Sequence, residues 1–323
     1  MTSTPPESAA RDGERSTPRP AGPEAASLPA SDEVDRFLAA ALAEDAGTGD
    51  VTSLGAVPEG ARARARLIAK EAGVLSGLPF FVRTFELCDP QVEVELAHAD
   101  GEAVEAGEQI AVLVGDARAL LLAERTALNI LQRLSGIATR TRGLVRLAVP
   151  PPTGGPAGGR VRLLDTRKTT PGLRVFEKYA VRCGGGDNHR FGLFDEVLVK
   201  ENHIDLAGRP IPEVLADLRK LVGPDMRMTC EARTAAEARQ AVAGGADVVM
   251  LDNMSPADMG RLVPELRELA TGRDRALEIE ASGGISEETL PAVAASGVDR
   301  ISVGALTHSV FALDLSLYLE AMP

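Results

Sequence analysis

The sequence predicts an α/β chain in two parts, a first domain mixing helices with an antiparallel sheet and then a β/α barrel of parallel strands. Three observations carry that prediction. Strand-like alternation before residue 116 is followed by one long helical pattern. A Pro/Gly-rich break, "PPTGGPAGGR", occupies residues 151–160. After it, six short apolar runs alternate with helical segments.

Taken in order, residues 1–30 are rich in Pro, Ala, Ser and Thr and lack apolar periodicity, so they read as a disordered tail. The tail has no apolar central region of the kind a signal peptide needs, and its Glu7, Asp12, Glu14 and Glu24 speak against a transit peptide. From residue 31, "DEVDRFLAAALAED" is helical, with Ser31 and Asp32 as candidate caps. "ARARLIAKEAGVLSG", "QVEVELAHAD" and "EQIAVLVG" alternate as strands do. "DARALLLAERTALNILQRLSGIATRTRGLVRLA" is a long helical stretch rich in Leu and Ala. The first domain therefore spans 31–150 and the second 151–323. In the second, "VRLLD", "EVLVK", "MRMTCEA", "DVVMLD", "LEIEAS" and "RISVG" have strand length. Helical patterns follow them near 173–182, 212–222, 234–243, 256–270, 286–296 and 308–320, the last expected to pack back on the first domain.

Composition excludes several classes of function. With 35 Lys+Arg against 47 Asp+Glu, the net charge of −12 argues against non-specific binding to nucleic acid or a membrane surface. No apolar run reaches the roughly 18 residues of a membrane span. The three cysteines (Cys88, Cys183 and Cys230) form no C-x-x-C pair and fit a reducing, cytoplasmic compartment, while four scattered histidines offer no zinc motif.

The chemistry gathers at the strand ends, which converge on one face of a β/α barrel. The residues there are Asp165, Thr166, Arg167 and Lys168, then Lys200, Glu201 and Asn202, then Glu231, then Asp252 and Asn253, then Ser282, Gly283 and Gly284, and last Gly304. Glycine turns before the last helices suit a phosphate. Glu231 and Asp252 end adjacent strands and admit three readings: general acid and base, a Mg²⁺ site, or partners for sugar hydroxyls. Between Arg160 and Lys200 nine Lys/Arg face five Asp/Glu, an excess of four positive charges in an acidic chain. Arg174, Lys178 and Arg182 are spaced as a solvated helix face. Arg167 and Lys168 follow a buried run, where an unanswered cation is costly, so an anion or carboxylate must meet them. "GGGDNHR" delivers His189 and Arg190 on a flexible turn, and His189 is read as a ligand contact. On the residues alone, this is a barrel for a phosphorylated sugar, Mg²⁺ and a compact polyanion.

At these positions the chain resembles the quinolinate phosphoribosyltransferase family. The motifs that carry the resemblance are "ALAEDAGTGDVTS", "ERTALNILQRLSGIAT", "DTRKTTPGLRVFEKYAVRCGGGDNHRFGLFDEVLVKENHI", "ADVVMLDNMSP", "IEASGGI" and "GVDRISVGALTHS", in that order from about Ala41 to Leu317. The resemblance implies an N-terminal α/β open sandwich, a C-terminal α/β barrel with about six parallel strands, and at least a homodimer. It implies that quinolinate and phosphoribosyl pyrophosphate give nicotinate mononucleotide, pyrophosphate and CO₂, with Mg²⁺. Catalytic parts fall to Lys168, Glu231 and Asp252. Arg125, Thr166, Arg167, Lys168, His189, Arg190 and Lys200 line the substrate pocket, with Arg125 completing the neighbouring subunit's site. Glu231 and Asp252 meet ribose hydroxyls and Mg²⁺, and Ser282, Gly283, Gly284, Val303, Gly304 and Ala305 form the 5′-phosphate loops. Asp187, Phe191 and Phe194 depart from the residues expected at their positions. Three rivals are a nicotinate-specific phosphoribosyltransferase, a related barrel linked to molybdenum transport, and a catalytically dead anion-binding protein. The dense cation set and "EKYAVRCGGG" disfavour the first, the full central signature disfavours the second, and intact Lys168, Glu231 and Asp252 disfavour the third.

Overall fold

The computed structural model describes residue 28, residues 31–148 and residues 161–323. The disordered tail expected over 1–30, Leu28 apart, and the loop expected over 151–160 lie outside the described residues.

The first part runs α1 (Ser31–Ala46), α2 (Val51–Ala56), β1 (Arg62–Ala69), β2 (Gly73–Val74), α3 (Leu78–Cys88), β3 (Glu93–Leu96), β4 (Ala103–Val104), β5 (Gln109–Asp116) and α4 (Ala117–Leu147). Strand β1 shows why these residues make a sheet: Ala63, Ala65, Leu67 and Ala69 are buried, while Arg62 and Arg64 between them face out. Helix α1 begins at Ser31 itself. Sharper caps lie further on. Asp50 accepts the amides of Thr52 and Ser53, both at 3.0 Å, to start α2, and Asp116 accepts that of Ala119 to start α4.

The second part runs β6 (Arg162–Leu164), α5 (Arg174–Cys183), β7 (Val197–Val199), α6 (Glu201–Ala207), α7 (Ile211–Val222), β8 (Met228–Ala232), α8 (Ala235–Ala243), β9 (Val248–Asp252), α9 (Pro256–Leu269), β10 (Glu278–Ser282), α10 (Leu290–Ala294), β11 (Arg300–Ser302), α11 (Ala305–His308) and β12 (Leu315–Ala321). Six parallel strands pair in the order β6-β11-β10-β9-β8-β7, which goes once round the barrel and leaves its seam between β6 and β7. On the β6 side of that seam, Leu164 makes a parallel bridge with Asp187, so the glycine-rich turn of 184–186 feeds a segment that extends the wall.

The helix expected over 308–320 is a correction. Residues 315–321 form β12, which pairs antiparallel with β1 and completes a four-stranded sheet in the order β12-β1-β5-β3. Leu313, Leu315 and Leu317 are buried at every second position, a period of two rather than 3.6. The chain does return to the first domain, but as a strand. Helix α4, about 46 Å long at 1.5 Å per residue, joins the two units. Leu120, Ala127 and Leu131 enter the core under the antiparallel sheet, and Leu134, Ile137 and Leu144 enter the barrel's.

Candidate active site

In a parallel sheet, paired residues of neighbouring strands share a face. Arg162, Arg300, Glu280, Met250 and Glu231 pair in sequence across β6, β11, β10, β9 and β8. One level higher, Ser282 pairs with Asp252 and Ser302 with Leu164. Since successive side chains alternate, Thr166 and Lys168, Lys200, Glu231, Asp252, Ser282 and Gly304 all fall on the inward parity of their strands, at the C-terminal rim.

Asp165 has the opposite parity and points out. It is fully buried, and its carboxylate accepts from the Lys178 ammonium at 2.5 Å and from the His189 amide at 2.9 Å. Lys178, 2 % exposed, also donates to the His189 carbonyl at 2.9 Å. This corrects the reading of Lys178 as part of a solvated face: burial costs are met because one carboxylate and one carbonyl receive its protons. Burial pushes the Asp165 carboxyl up to about 6, against the pull of Lys178. The node fixes the backbone on both sides of the site's cations.

Those cations are arranged around the opening. Arg190 is half-buried and donates to the Glu196 carbonyl at 3.0 Å. Burial, followed by the like charge of Arg167, holds its guanidinium below the usual arginine range. Arg167 has a buried Nε with no hydrogen-bond partner. Lys168 is exposed at its tip. Its amide is held by Thr166 Oγ1 at 3.0 Å and its carbonyl by Thr307 Oγ1 at 2.8 Å. A Cβ on Gly304 would come within 3.0 Å of the Lys168 stem, so glycine lets the lysine lie across that turn. Lys200 Nζ stands 3.4 Å from Glu231 Oε2. Desolvation, with Glu201 and Asp252 as carboxylate neighbours, raises Glu231 to about 7 despite Lys200.

The turn after β10 needs glycine. Gly283 and Gly284 have φ of +83° and +61°, and a Cβ on Gly283 would meet the Asn253 side chain at 2.4 Å. Asn253, itself at φ 54°, donates its side-chain amide to Asp252 and its backbone amide to the Ser282 carbonyl. The phosphate expectation is narrowed at one residue. Val303 spends its amide on the Leu164 carbonyl at 2.9 Å, inside the ladder, so it has no N–H for an anion. Gly304 and Ala305 remain, at the start of α11.

Arg125 stands apart. It lies exposed on α4 in a shallow cavity of about 200 Å³ with Ala41, Glu44 and Asp45 of α1, away from its own strand ends.

His189 is nearly buried. Its Nδ1 accepts from the Arg190 amide at 2.7 Å, and its Nε2 lies 3.4 Å from Glu280 Oε1. Below it the barrel interior is charged: Glu280 is fully buried, with Oε2 2.7 Å from Arg300 Nε. Arg300 reaches Thr229 Oγ1 at 3.2 Å, and Thr229 also bonds Glu196. Burial alone would raise the Glu280 carboxyl, yet His189 and Arg300 beside it bring it below its ordinary value. Sequence reasoning missed this floor, although charged residues at alternate positions of "LEIEAS" and before "ISV" were its signal. It also missed Arg133, whose guanidinium joins α4 to Glu177 (2.6 Å) and to Thr170 (2.8 Å) in the loop after Lys168.

Comparison with known proteins fits this geometry. The family models for the quinolinate phosphoribosyl transferase N-terminal and C-terminal domains match residues 50–135 and 137–318. A probable nicotinate-nucleotide pyrophosphorylase [carboxylating] of Bacillus subtilis is 44% identical over 274 residues, covering 85% of this chain and 89% of its own. The chloroplastic enzyme of that name from Arabidopsis thaliana is 40% identical, covering 87% and 81%. Among solved structures, the nicotinate-nucleotide pyrophosphorylase of Francisella tularensis superposes with a TM-score of 0.82 at 39% identity, over 92% of this chain and 99% of that one.

Proposed function

Since the chain belongs to the quinolinate phosphoribosyltransferase family, we propose that its rim residues divide one reaction between a flat dianion and a phosphoribosyl donor. The enzyme is a pentosyltransferase of NAD biosynthesis. It moves the phosphoribosyl group of phosphoribosyl pyrophosphate to quinolinate and releases CO₂, giving nicotinate mononucleotide and pyrophosphate.

The observation that carries the division of labour is a half-buried Arg190 held low by burial and then by the like charge of Arg167, whose own Nε has no hydrogen-bond partner, an arrangement that calls for an anion. Quinolinate brings two carboxylates on one plane, and guanidinium forks match carboxylates bidentately. Arg190 and Arg167 take these, with Thr166 beside them and Arg125 supplied by a neighbouring subunit. The ring nitrogen attacks C1 of the ribose and carries no proton, so this step needs no general base. The C1–oxygen bond breaks and its electron pair leaves with pyrophosphate. Lys168 and Lys200 balance that growing negative charge, and Glu231 and Asp252 face the positive charge at C1 and the ribose hydroxyls. The 5′-phosphate fits the turns of Ser282, Gly283 and Gly284 and of Gly304 and Ala305. Once ribosylated, the ring nitrogen is cationic and accepts the electrons of the adjacent C–CO₂ bond. CO₂ departs, and the carbon then takes a proton from water.

Among the described residues no three or more His, Cys, Asp or Glu form a metal cage. Two neighbouring carboxylates nevertheless fit Mg²⁺, which uses one or two of them with substrate phosphates and water. Glu231 and Asp252 would hold it, and it would supply charge neutralisation on the departing pyrophosphate.

The same reading makes the working unit a homodimer, because Arg125 lies away from its own rim. No described helix is long and apolar enough to cross a membrane, and three free cysteines fit a reducing, cytoplasmic location.

The test is one assay with Mg²⁺ and phosphoribosyl pyrophosphate, offering quinolinate in one tube and nicotinate in the other. CO₂ in step with nicotinate mononucleotide, from quinolinate alone, is expected, and turnover of nicotinate would overturn the two-carboxylate pocket. Mixing Arg125→Ala with Lys168→Ala protein should restore about a quarter of the activity through mixed dimers with one intact site. No recovery after subunit exchange would sink the shared site.

A further inference from the structure

The charged floor of the barrel has no part in the reaction as derived so far. Glu280 and Arg300 sit inside a closed layer, 0% and 3% exposed, out of reach of any ligand at the rim. Packing alone would be served by apolar residues, since a buried ion pair contributes little net stability. Their contacts run upward to His189. His189 is held at four points, two on its backbone and two on its ring. Its amide donates to Asp165, its carbonyl accepts from Lys178, its Nδ1 accepts the Arg190 amide, and its Nε2 stands over Glu280 Oε1. With Nδ1 an acceptor, a neutral ring carries its proton on Nε2, the atom 3.4 Å from Glu280 Oε1.

We infer that Glu280 and Arg300 are positioning residues: they fix the ring of His189, and His189 fixes the backbone from which Arg190 reaches the dicarboxylate substrate. The inference rests on the reading of Arg190 as a quinolinate ligand. Arg300 holds Glu280 by an ion pair, its Nε 2.7 Å from Oε2, and is itself held by Thr229 and Glu196. His189 then works through its neighbour: Nδ1 accepts the Arg190 amide, and Nε2, which makes no hydrogen bond, stands 3.4 Å from Glu280 Oε1. A guanidinium that must meet a planar carboxylate loses much of its effect when displaced by a fraction of an ångström.

The test begins with Glu280→Gln. The substitution keeps the shape and removes the charge that faces His189 Nε2 at 3.4 Å and Arg300 Nε at 2.7 Å. The expected result is a rise of about tenfold in KM for quinolinate, with KM for phosphoribosyl pyrophosphate within about twofold. Equal changes in both, or none in either, would overturn the assignment and leave the pair a part of the packing. If that variant does not fold, His189→Gln carries the same test. It keeps a donor toward Glu280 and removes the acceptor for the Arg190 amide, and the same split in KM is expected.

A readout that does not depend on turnover separates this inference from the functional reading. The chain has four histidines, so ¹⁵N signals of the rings can be assigned by substitution. His189 should show the Nε2–H form in the free enzyme and keep it when quinolinate is added. A ring protonated on Nδ1 refutes the inference even in an active enzyme. A shift at Nε2 on adding quinolinate would make His189 a direct ligand instead. An Nε2–H ring in a protein that turns over nothing would point to failure of the functional reading, not of this geometry.

Discussion

The floor of the barrel and its rim use the same residue types on the same six strands, yet they treat charge differently. On the floor, Arg162, Arg227 and Arg300 surround Glu278, and Arg300 also meets Glu280, so each cation has a carboxylate of its own fold beside it. At the rim, the like charge of Arg167 bears on a half-buried Arg190, Lys168 is exposed, and burial with its carboxylate neighbours raises Glu231 to about 7 despite Lys200. Charges answered within the fold fix the geometry of the groups above them. Charges left over are matched to something that arrives. The Asp165–Lys178 node stands between the two, a closed pair whose task is to present open ones.

Substitutions can break this contrast at either end. The largest effect is expected at the rim: Lys168→Met should lower kcat by about a thousandfold, or about 4 kcal/mol, with an unchanged melting temperature. A fall in melting temperature would place Lys168 among the structural charges. Next comes the node. Lys178→Met leaves a buried carboxylate unpaired and should cost about 3 kcal/mol of stability at neutral pH, read from denaturant midpoints. Asp165 has a folded-state value raised to about 6, so its protonated form is favoured in the folded chain. The stability this provides is in full force below the ordinary carboxylate value and is lost as pH rises through 6. The penalty of Lys178→Met should therefore shrink on acidification, and a penalty independent of pH would contradict the pairing. A smaller effect is expected from Arg190→Lys, which keeps the charge but loses the fork. Its KM for quinolinate should rise about thirtyfold, or about 2 kcal/mol, at constant stability. Smallest is Arg261→Ala on α9, whose pair with Asp258 is solvent-exposed. Stability should change by no more than about 0.5 kcal/mol, and a larger loss would mean that surface pairs here are not the bland background the comparison assumes.

Much of this was legible in the residues, for reasons that also explain the misses. Apolar runs ending in polar residues located the rim because a parallel strand is apolar along its length and changes character where it stops. Lys178 was misread because helical spacing reports which side chains share a face, not what that face touches; its partner Asp165 is thirteen residues away on another element. The strand β12 was misread because "DLSLYLEA" satisfies a helical composition while its leucines recur every second residue. The floor escaped notice because a single charge inside an apolar run does not say which residue of a neighbouring strand it faces. Only the register, which sets Glu280 beside Arg300, brings them together. The place of Arg125 was suggested by the resemblance and not by its own surroundings, since one exposed arginine on a helix looks like any other.

The pairing of β12 with β1 has a consequence for how this molecule is made. Ala63 waits for Ala321, so the first sheet keeps an open hydrogen-bonding edge until the whole barrel has left the ribosome. Contacts of such sequence separation are slow to form, and an unpaired strand edge invites association with other chains. Folding of the first sheet should therefore be most vulnerable in the interval between the synthesis of β5 and that of β12. A chain stalled just short of β12 would carry a nearly complete barrel beside an unfinished sheet, and would be a natural client for chaperones.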